Sequence, residues 1–340
     1  MELTHETISL KLRHTFRTSR EASDVRRNVV CKIQHQGVEG LGEAAPSTYY
    51  NQDAQTVSKA LDDIALKLKD DPFALEGIVS EMWHLFPGEA AARAAVDMAI
   101  HDIVGKMLDV PLYRLLGLDP QKTPQTSVTV GLDDIEVMQK KVLELDQAPI
   151  LKIKLGTQGD MDIVRAIRQI STATIRVDAN AAWTAREALE KISALMEYDI
   201  EFVEQPLAAD DLEGLRWLKK RVKVPIVLDE SVRIAADIPA LVDCAHGINI
   251  KLMKSGGLRE ALGMIHVARA LGLRVMLGCM LETSLAVTAA AHLSPLVDYA
   301  DLDGHLLIEN DPYSGVDVVG GKLVLPQRPG IGAVTSAEGR

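Results

Sequence analysis

Cysteine is scarce, with only Cys31, Cys244 and Cys279 in 340 residues. An odd number without metal-ligand spacing provides neither a disulfide framework nor a zinc site, and it suits a reducing cytoplasm. Positive charge is also in deficit: 37 Lys and Arg stand against 48 Asp and Glu, a net charge of −11. That balance excludes a nucleic-acid or anionic-membrane partner as the main target. No segment reaches the roughly 18 unbroken apolar residues that span a bilayer. The opening Met1–Glu6 lacks a basic stretch followed by an apolar one, so a soluble, unprocessed chain is expected. Low-complexity tracts and exact repeats are missing too. What is present is 47% hydrophobic residues, enough for one large core plus a smaller domain.

Near the start, Ile8, Leu10 and Leu12 alternate with polar residues, and Val29–Ile33 forms a second β-rich run before Gly37, Gly40 and Gly42. The pair reads as an antiparallel hairpin. Thr15–Asn28 between them, in or beside which stand Arg13, Arg17, Arg20, Arg26 and Arg27, is too long for a tight turn and reads as a mobile flap or a solvated connector. Helical periodicity follows over 52–69 and 89–108, completing an α+β domain over 1–124. From 125 to 305, short apolar strands alternate with amphipathic helices. Strands are expected over 127–131, 150–155, 175–178, 202–204, 226–229, 248–251, 275–278 and 299–303. Eight of them predict a closed barrel. The turn-rich tail, 306–340, is expected to wrap back onto the first domain.

In this register charged residues end one strand after another: Lys152 and Lys154, Asp178, Glu204, Asp229, Lys251, then Asp301 and Asp303. Lys154, Asp178, Glu204, Asp229 and Lys251 are spaced 24, 26, 25 and 22 residues apart, one strand plus one helix each time. Those ends share one active-site mouth in a (β/α) barrel. Three carboxylates around one point repel each other unless a cation joins them, and oxygen-only donors favour Mg²⁺, with Mn²⁺ as a second option. Lys152 and Lys154, two apart on a strand, point to the same interior face. Lys251, four strands further round, is expected to face Lys154, and burial beside other positive charge should lower a lysine toward basic behaviour. Lys254 leaves the strand and reads as a surface or loop residue. Two bases across a cation-bound carboxylate suit removal of an α-proton through an enediolate and its return on the other face, which is racemisation or epimerisation.

The segments Leu151–Gly156, Arg176–Trp183, Phe202–Leu207, Leu228–Ser231 and Ile248–Gly257, together with Ala94–Asp102 and Pro111–Gly117, resemble the enolase superfamily in its muconate-lactonizing group, and within it the dipeptide epimerases. That resemblance implies a modified TIM barrel, (β/α)7β, capped by an α+β domain built from the N-terminal segment and the C-terminal tail. It implies Asp178, Glu204 and Asp229 as Mg²⁺ ligands, Lys154 and Lys251 as the acid/base pair, and Lys152 against the substrate carboxylate. It further implies Thr129, Cys279 and Leu281 as pocket residues and Arg20 as the flap arginine of the acidic-dipeptide enzymes. Asp301 and Asp303, two apart on the last strand, would clamp the free ammonium of a dipeptide substrate of the L-Ala-D/L-Xaa type. His292 reads as a packed helical histidine, and Glu282 as a helix cap or a pocket residue.

Three other readings stay open. A cycloisomerase or an o-succinylbenzoate-synthase-like dehydratase would use the same metal and lysines; a Schiff-base aldolase would use Lys154 or Lys251 as nucleophile; a silent barrel would act only as a binding module. The side chains of the preferred dipeptide and a homo-oligomeric assembly are likewise open.

Overall fold

Two long strands, β1 (Glu2–Arg17) and β2 (Ala22–His35), pair antiparallel, and β3 (Val38–Ala44) completes the sheet on the far side of β2. The computed structural model describes residues 1–145 and 148–336, so the last four residues of the tail lie outside the described residues. The stretch read as a flap is mostly strand. Pairing continues to Arg17 opposite Ala22, and the chain turns only over Thr18–Glu21, where Thr18 N donates to Glu21 O at 2.9 Å. A two-stranded ribbon that leaves the sheet has no core to face, so both of its sides are polar and the alternation that betrays a strand is missing.

Gly40 and Gly42 are part of β3, not of a loop. A Cβ on Gly42 would lie 1.9 Å from the Ala95 carbonyl oxygen, and one on Gly40 2.1 Å from that of Ala99. Both carbonyls belong to α3 (Ala90–Met107), whose alanines let helix and strand backbones touch. Before it stand α1 (Ala54–Ala65), which Asp53 and Thr56 cap reciprocally, and α2 (Leu75–Leu85), which the sequence reading passed over. A single turn, α4 (Leu112–Leu115), leads to the barrel.

The eight expected barrel strands are all there: β4 (Val128–Val130), β5 (Ile150–Lys154), β6 (Thr174–Asp178), β7 (Ile200–Glu204), β8 (Ile226–Leu228), β9 (Gly247–Lys251), β10 (Arg274–Gly278) and β11 (Tyr299–Asp301). Each pairs in parallel with the next, and Ser127 N donates to Ala300 O at 3.2 Å across the seam between β4 and β11. Helices α5 (Ile135–Glu144), α6 (Asp160–Arg168), α7 (Ala185–Leu195), α8 (Leu212–Lys219), the one-turn α9 (Leu252–Ser255), α10 (Leu258–Ala270) and α11 (Ser284–Ala291) join them. This is a TIM-type barrel with an α+β cap. Among the described residues no helix is long and apolar enough to cross a membrane.

Acids from the N-terminal layer cap two barrel helices. Asp97 on α3 accepts from Leu258 N at 2.5 Å at the start of α10, and Glu43 on β3 accepts from Thr283 N at 3.1 Å and Ala286 N at 3.3 Å at the start of α11. Gly257 precedes α10 because a Cβ there would lie 2.4 Å from the Asp97 carboxylate. The tail returns to the same layer: Glu309 N donates to Lys11 O at 2.8 Å, and Ile331 N to Asp102 Oδ1 at 2.8 Å. Its short strands pair as β12 (Tyr313–Ser314) with β15 (Val334–Thr335) and β13 (Asp317–Val319) with β14 (Lys322–Val324). Gly42→Ala is expected to cost about 1–3 kcal/mol in chemical denaturation, because its methyl can only displace helix backbone. Wild-type stability in that variant would show that the contact yields freely.

Candidate active site

Strand ends of the barrel, the tip of the β1–β2 ribbon and the segment after β3 enclose a cavity of about 290 Å³. Lys152 and Lys154 on β5, Lys251 on β9, and Asp229 just past β8 line it. Asp178 ends β6 and Glu204 ends β7, both fully buried beneath the mouth. Thr129, Cys279, Leu281, Asp301, Asp303 and Arg20 are also in its wall, so the cavity gathers nearly every residue singled out from the sequence.

Burying so much charge requires each ion to have partners. Lys152, 2% exposed, lies 2.6 Å from Asp301 Oδ2, 2.7 Å from Glu204 Oε2 and 3.3 Å from Asp178 Oδ2. Lys154 donates to Asp178 Oδ2 at 2.6 Å, and Lys251 to Asp229 Oδ2 at 2.7 Å. Burial alone would pull Lys251 down, yet the Asp229 charge holds it above the ordinary lysine value. The expected drop of that lysine toward basic behaviour is therefore reversed while it rests on Asp229. Burial pushes Glu204 up to about 7, with the Asp178 and Asp229 charges adding to it and Lys152 opposing. Asp178, despite burial, is held at about 2 by Lys154 and Lys152.

Lys254 is not a surface residue. At 2% exposure its ammonium donates to Asp229 Oδ1 and Asp229 O, each at 2.5 Å, and to Val232 O and Asn249 O, each at 3.0 Å. The strand stops at Lys251 and the chain coils into α9, which turns Lys254 back under the barrel end. Period-two reasoning cannot follow a side chain through that change.

Asp301 accepts from Ser127 Oγ at 2.6 Å as well as from Lys152, and Asp303 accepts from Thr129 N at 2.6 Å. β11 ends at Asp301, and Asp303 has φ −105° and ψ 0°, outside the extended region. The two face one cavity because the chain bends after the strand, not because of strand period. Burial and the Asp301 charge push Asp303 up to about 6. Cys279 Sγ accepts from Gly304 N at 3.3 Å and contacts Asp301 O at 3.3 Å. Arg20, from the ribbon turn, pairs with Glu230 Oε1 at 2.5 Å and stacks over Tyr49 at 4.4 Å.

Glu230, 5% exposed, and Tyr50 are cavity residues that the sequence reading missed. Asn249, which donates to Glu204 Oε1 at 2.8 Å, was also missed, although its place two before Lys251 on β9 was a usable signal. Glu282 neither lines the cavity nor caps α11: its carboxylate accepts from Met280 N at 2.6 Å, while Thr283 is the cap. His292 is packed as expected, between Tyr113 N at 3.1 Å and Ile331 O at 2.8 Å.

Among the described residues no three acid, imidazole or thiol groups already surround a point closely enough to hold an ion. The donor set nevertheless fits a hard divalent cation. Asp178, Glu204 and Asp229 are oxygen-only, come from adjacent strand ends, are at most 3% exposed and raise one another's proton affinity. Glu204 Oε2, though close to Lys152, receives no well-directed hydrogen bond.

Residues 3–117 match the mandelate racemase / muconate lactonizing enzyme N-terminal domain, and residues 137–338 match the enolase C-terminal domain-like family. An L-Ala-D/L-Glu epimerase of Bacteroides thetaiotaomicron is 43% identical over 98% of this chain and 88% of its own length. A dipeptide epimerase from Enterococcus faecalis, solved with Mg and the dipeptide L-Leu-L-Tyr, superposes with a TM-score of 0.92 at 34% identity over 98% of both chains. The substrate-liganded L-Ala-D/L-Glu epimerase of Bacillus subtilis gives 0.93 at 31% identity over 98% of this chain and 99% of its own. A cap, a barrel and a lysine-flanked acid ring in that order make this chain a member of the mandelate racemase / muconate lactonizing enzyme family within the enolase superfamily.

Proposed function

We propose that this protein epimerises dipeptides of the L-Ala-D/L-Xaa type by moving one α-proton between two lysines. The observation that carries this reading is the placement of Lys154 and Lys251. They are on strands four apart in an eight-stranded ring, and both reach one cavity that also holds Asp301 and Asp303. The relatives named above, covered almost end to end, support it.

Asp178, Glu204 and Asp229 are the residues that would hold Mg²⁺. Bound there, the ion supplies positive charge to the substrate carboxylate and so makes the neighbouring C–H acidic. Lys152 sits among the same acids and would add its own positive charge to that carboxylate. Lys154 and Lys251 now rest on Asp178 and Asp229. A cation held by those acids would take over their charge and free both lysine side chains for the substrate. One lysine then accepts the α-proton, and the other returns a proton to the opposite face. Thr129, Cys279 and Leu281 wall the substrate, and Arg20, braced on Glu230, closes the ribbon side. All three cysteines are free thiols, which suits the cytoplasm.

Asp301 and Asp303 take the ammonium of the first residue. A cycloisomerase or dehydratase substrate offers no such group, and an aldolase needs no acid trio. Asp301→Asn and Asp303→Asn are expected to raise KM for free dipeptides by roughly 10- to 100-fold, as for loss of a charged hydrogen bond, and N-acetylated dipeptides should be poor substrates. Equal turnover of acetylated and free dipeptides by the wild-type protein would redirect the reading to another carboxylic acid. Chelation should abolish epimerisation and added Mg²⁺ restore it, whereas full turnover in metal-free buffer would exclude the proposed use of the acid trio.

A further inference from the structure

The loop from β10 to α11 forms one wall of the cavity through Cys279, Met280 and Leu281. Much of what fixes it comes from the N-terminal layer. Asn28 on β2, 2% exposed, donates from one amide nitrogen to Leu281 O at 2.9 Å and to Glu43 Oε1 at 2.7 Å. Glu43 on β3, fully buried, also accepts from the Thr283 amide at 3.1 Å and from the Thr283 hydroxyl. One buried carboxylate thus holds the end of the loop, and one amide ties the carbonyl of its cavity residue to that carboxylate.

The chemistry of the bridge is selective. Two acceptors, a carboxylate oxygen and a carbonyl oxygen, converge on one position, and a primary amide offers two N–H groups there. Aspartate would set a third acceptor against them, and a small apolar residue would leave both buried oxygens short of a partner. Leu281 itself packs with Leu10, Leu12 and Ile308, so its backbone position decides how far its side chain stands into the cavity.

We propose that Asn28, locked by Glu43, is a positioning residue that sets the place of Leu281 and thereby selects dipeptides by the size of the side chain against that wall. The assignment rests on the dipeptide reading above. It makes the cap a determinant of specificity through the barrel's own loop, separately from Arg20 at the ribbon tip.

The test compares kcat, KM and thermal unfolding for wild type, Asn28→Ala, Asn28→Asp, Glu43→Gln and the Asn28→Asp/Glu43→Gln pair, over two series of dipeptides, one in which the first and one in which the second side chain runs from small to bulky. Asn28→Ala should raise KM for the preferred dipeptide roughly tenfold, flatten the ranking by size, and leave kcat within about twofold. Asn28→Asp should be worse, and the pair should recover part of the loss, because a glutamine at 43 can donate to an aspartate at 28. Should the Asn28 variants fail to fold, Glu43→Gln, which keeps the shape of the contact, should still show the KM rise at reduced size. Lowered unfolding temperature with wild-type KM and ranking would overturn the assignment and leave only a structural tie. Wild-type protein inert toward every dipeptide would instead remove the underlying reading, and this inference with it.

Discussion

Everything at the mouth of this barrel follows from the cost of burying charge. An unpaired ammonium or carboxylate out of water costs several kcal/mol even after relaxation, and here Lys152, Lys154, Lys251 and Lys254 share their burial with Asp178, Glu204, Asp229 and Asp301. Each acid is held by a lysine, and Lys152 alone meets three acids. The ring is therefore a balanced set: any one member left out exposes the others to uncompensated charge. That same balance suits it to a divalent cation, since Asp178 and Asp229 can exchange ammonium partners for a metal without losing neutralisation. Lys254 differs from the rest. Its further bonds to Val232 O and Asn249 O fix it in place beneath Asp229, whereas Lys154 and Lys251 face the cavity.

The ring is assembled at the end of the barrel that the N-terminal layer covers, and the covering is itself electrostatic. Helix N-termini carry partial positive charge and unpaired N–H groups. Those of α10 and α11 receive Asp97 and Glu43 from the cap instead of caps from their own segments alone. Glycines at 42 and 257 are where the two layers come too close for a side chain. The cap is consequently seated on the loops that follow β9 and β10, the second of which holds Cys279 and Leu281.

Much of this was legible in the sequence because the βα unit repeats. Asp178, Glu204, Asp229 and Lys251 announced themselves by recurring one strand and one helix apart, and all eight barrel strands stood where apolar runs put them. Legibility failed where the period changed. Lys254 follows a strand that becomes a one-turn helix, Asp303 follows a strand that ends two residues earlier, and the outer part of the β1–β2 ribbon, residues 13–27, has no buried face to print an apolar alternation. Tyr50 reaches the site through tertiary approach of the cap, for which no local spacing exists, whereas Glu230 directly follows Asp229 past β8 and its place beside that acid was a usable signal. The expected lowering of a lysine does not hold for Lys251 in this arrangement, because the Asp229 charge outweighs burial and the neighbouring positive charge.

The central claim, that Lys154 and Lys251 serve opposite faces of one α-carbon, is tested most directly by heavy-water exchange. The α-hydrogen of each pure dipeptide stereoisomer would be followed by NMR with wild type, Lys154→Ala and Lys251→Ala. Wild type should label and interconvert both stereoisomers. Each variant should lose epimerisation by about 10²- to 10⁴-fold while still exchanging one stereoisomer, and the two variants should exchange opposite ones. Normal epimerisation by either variant, or exchange of the same stereoisomer by both, would contradict the two-base account.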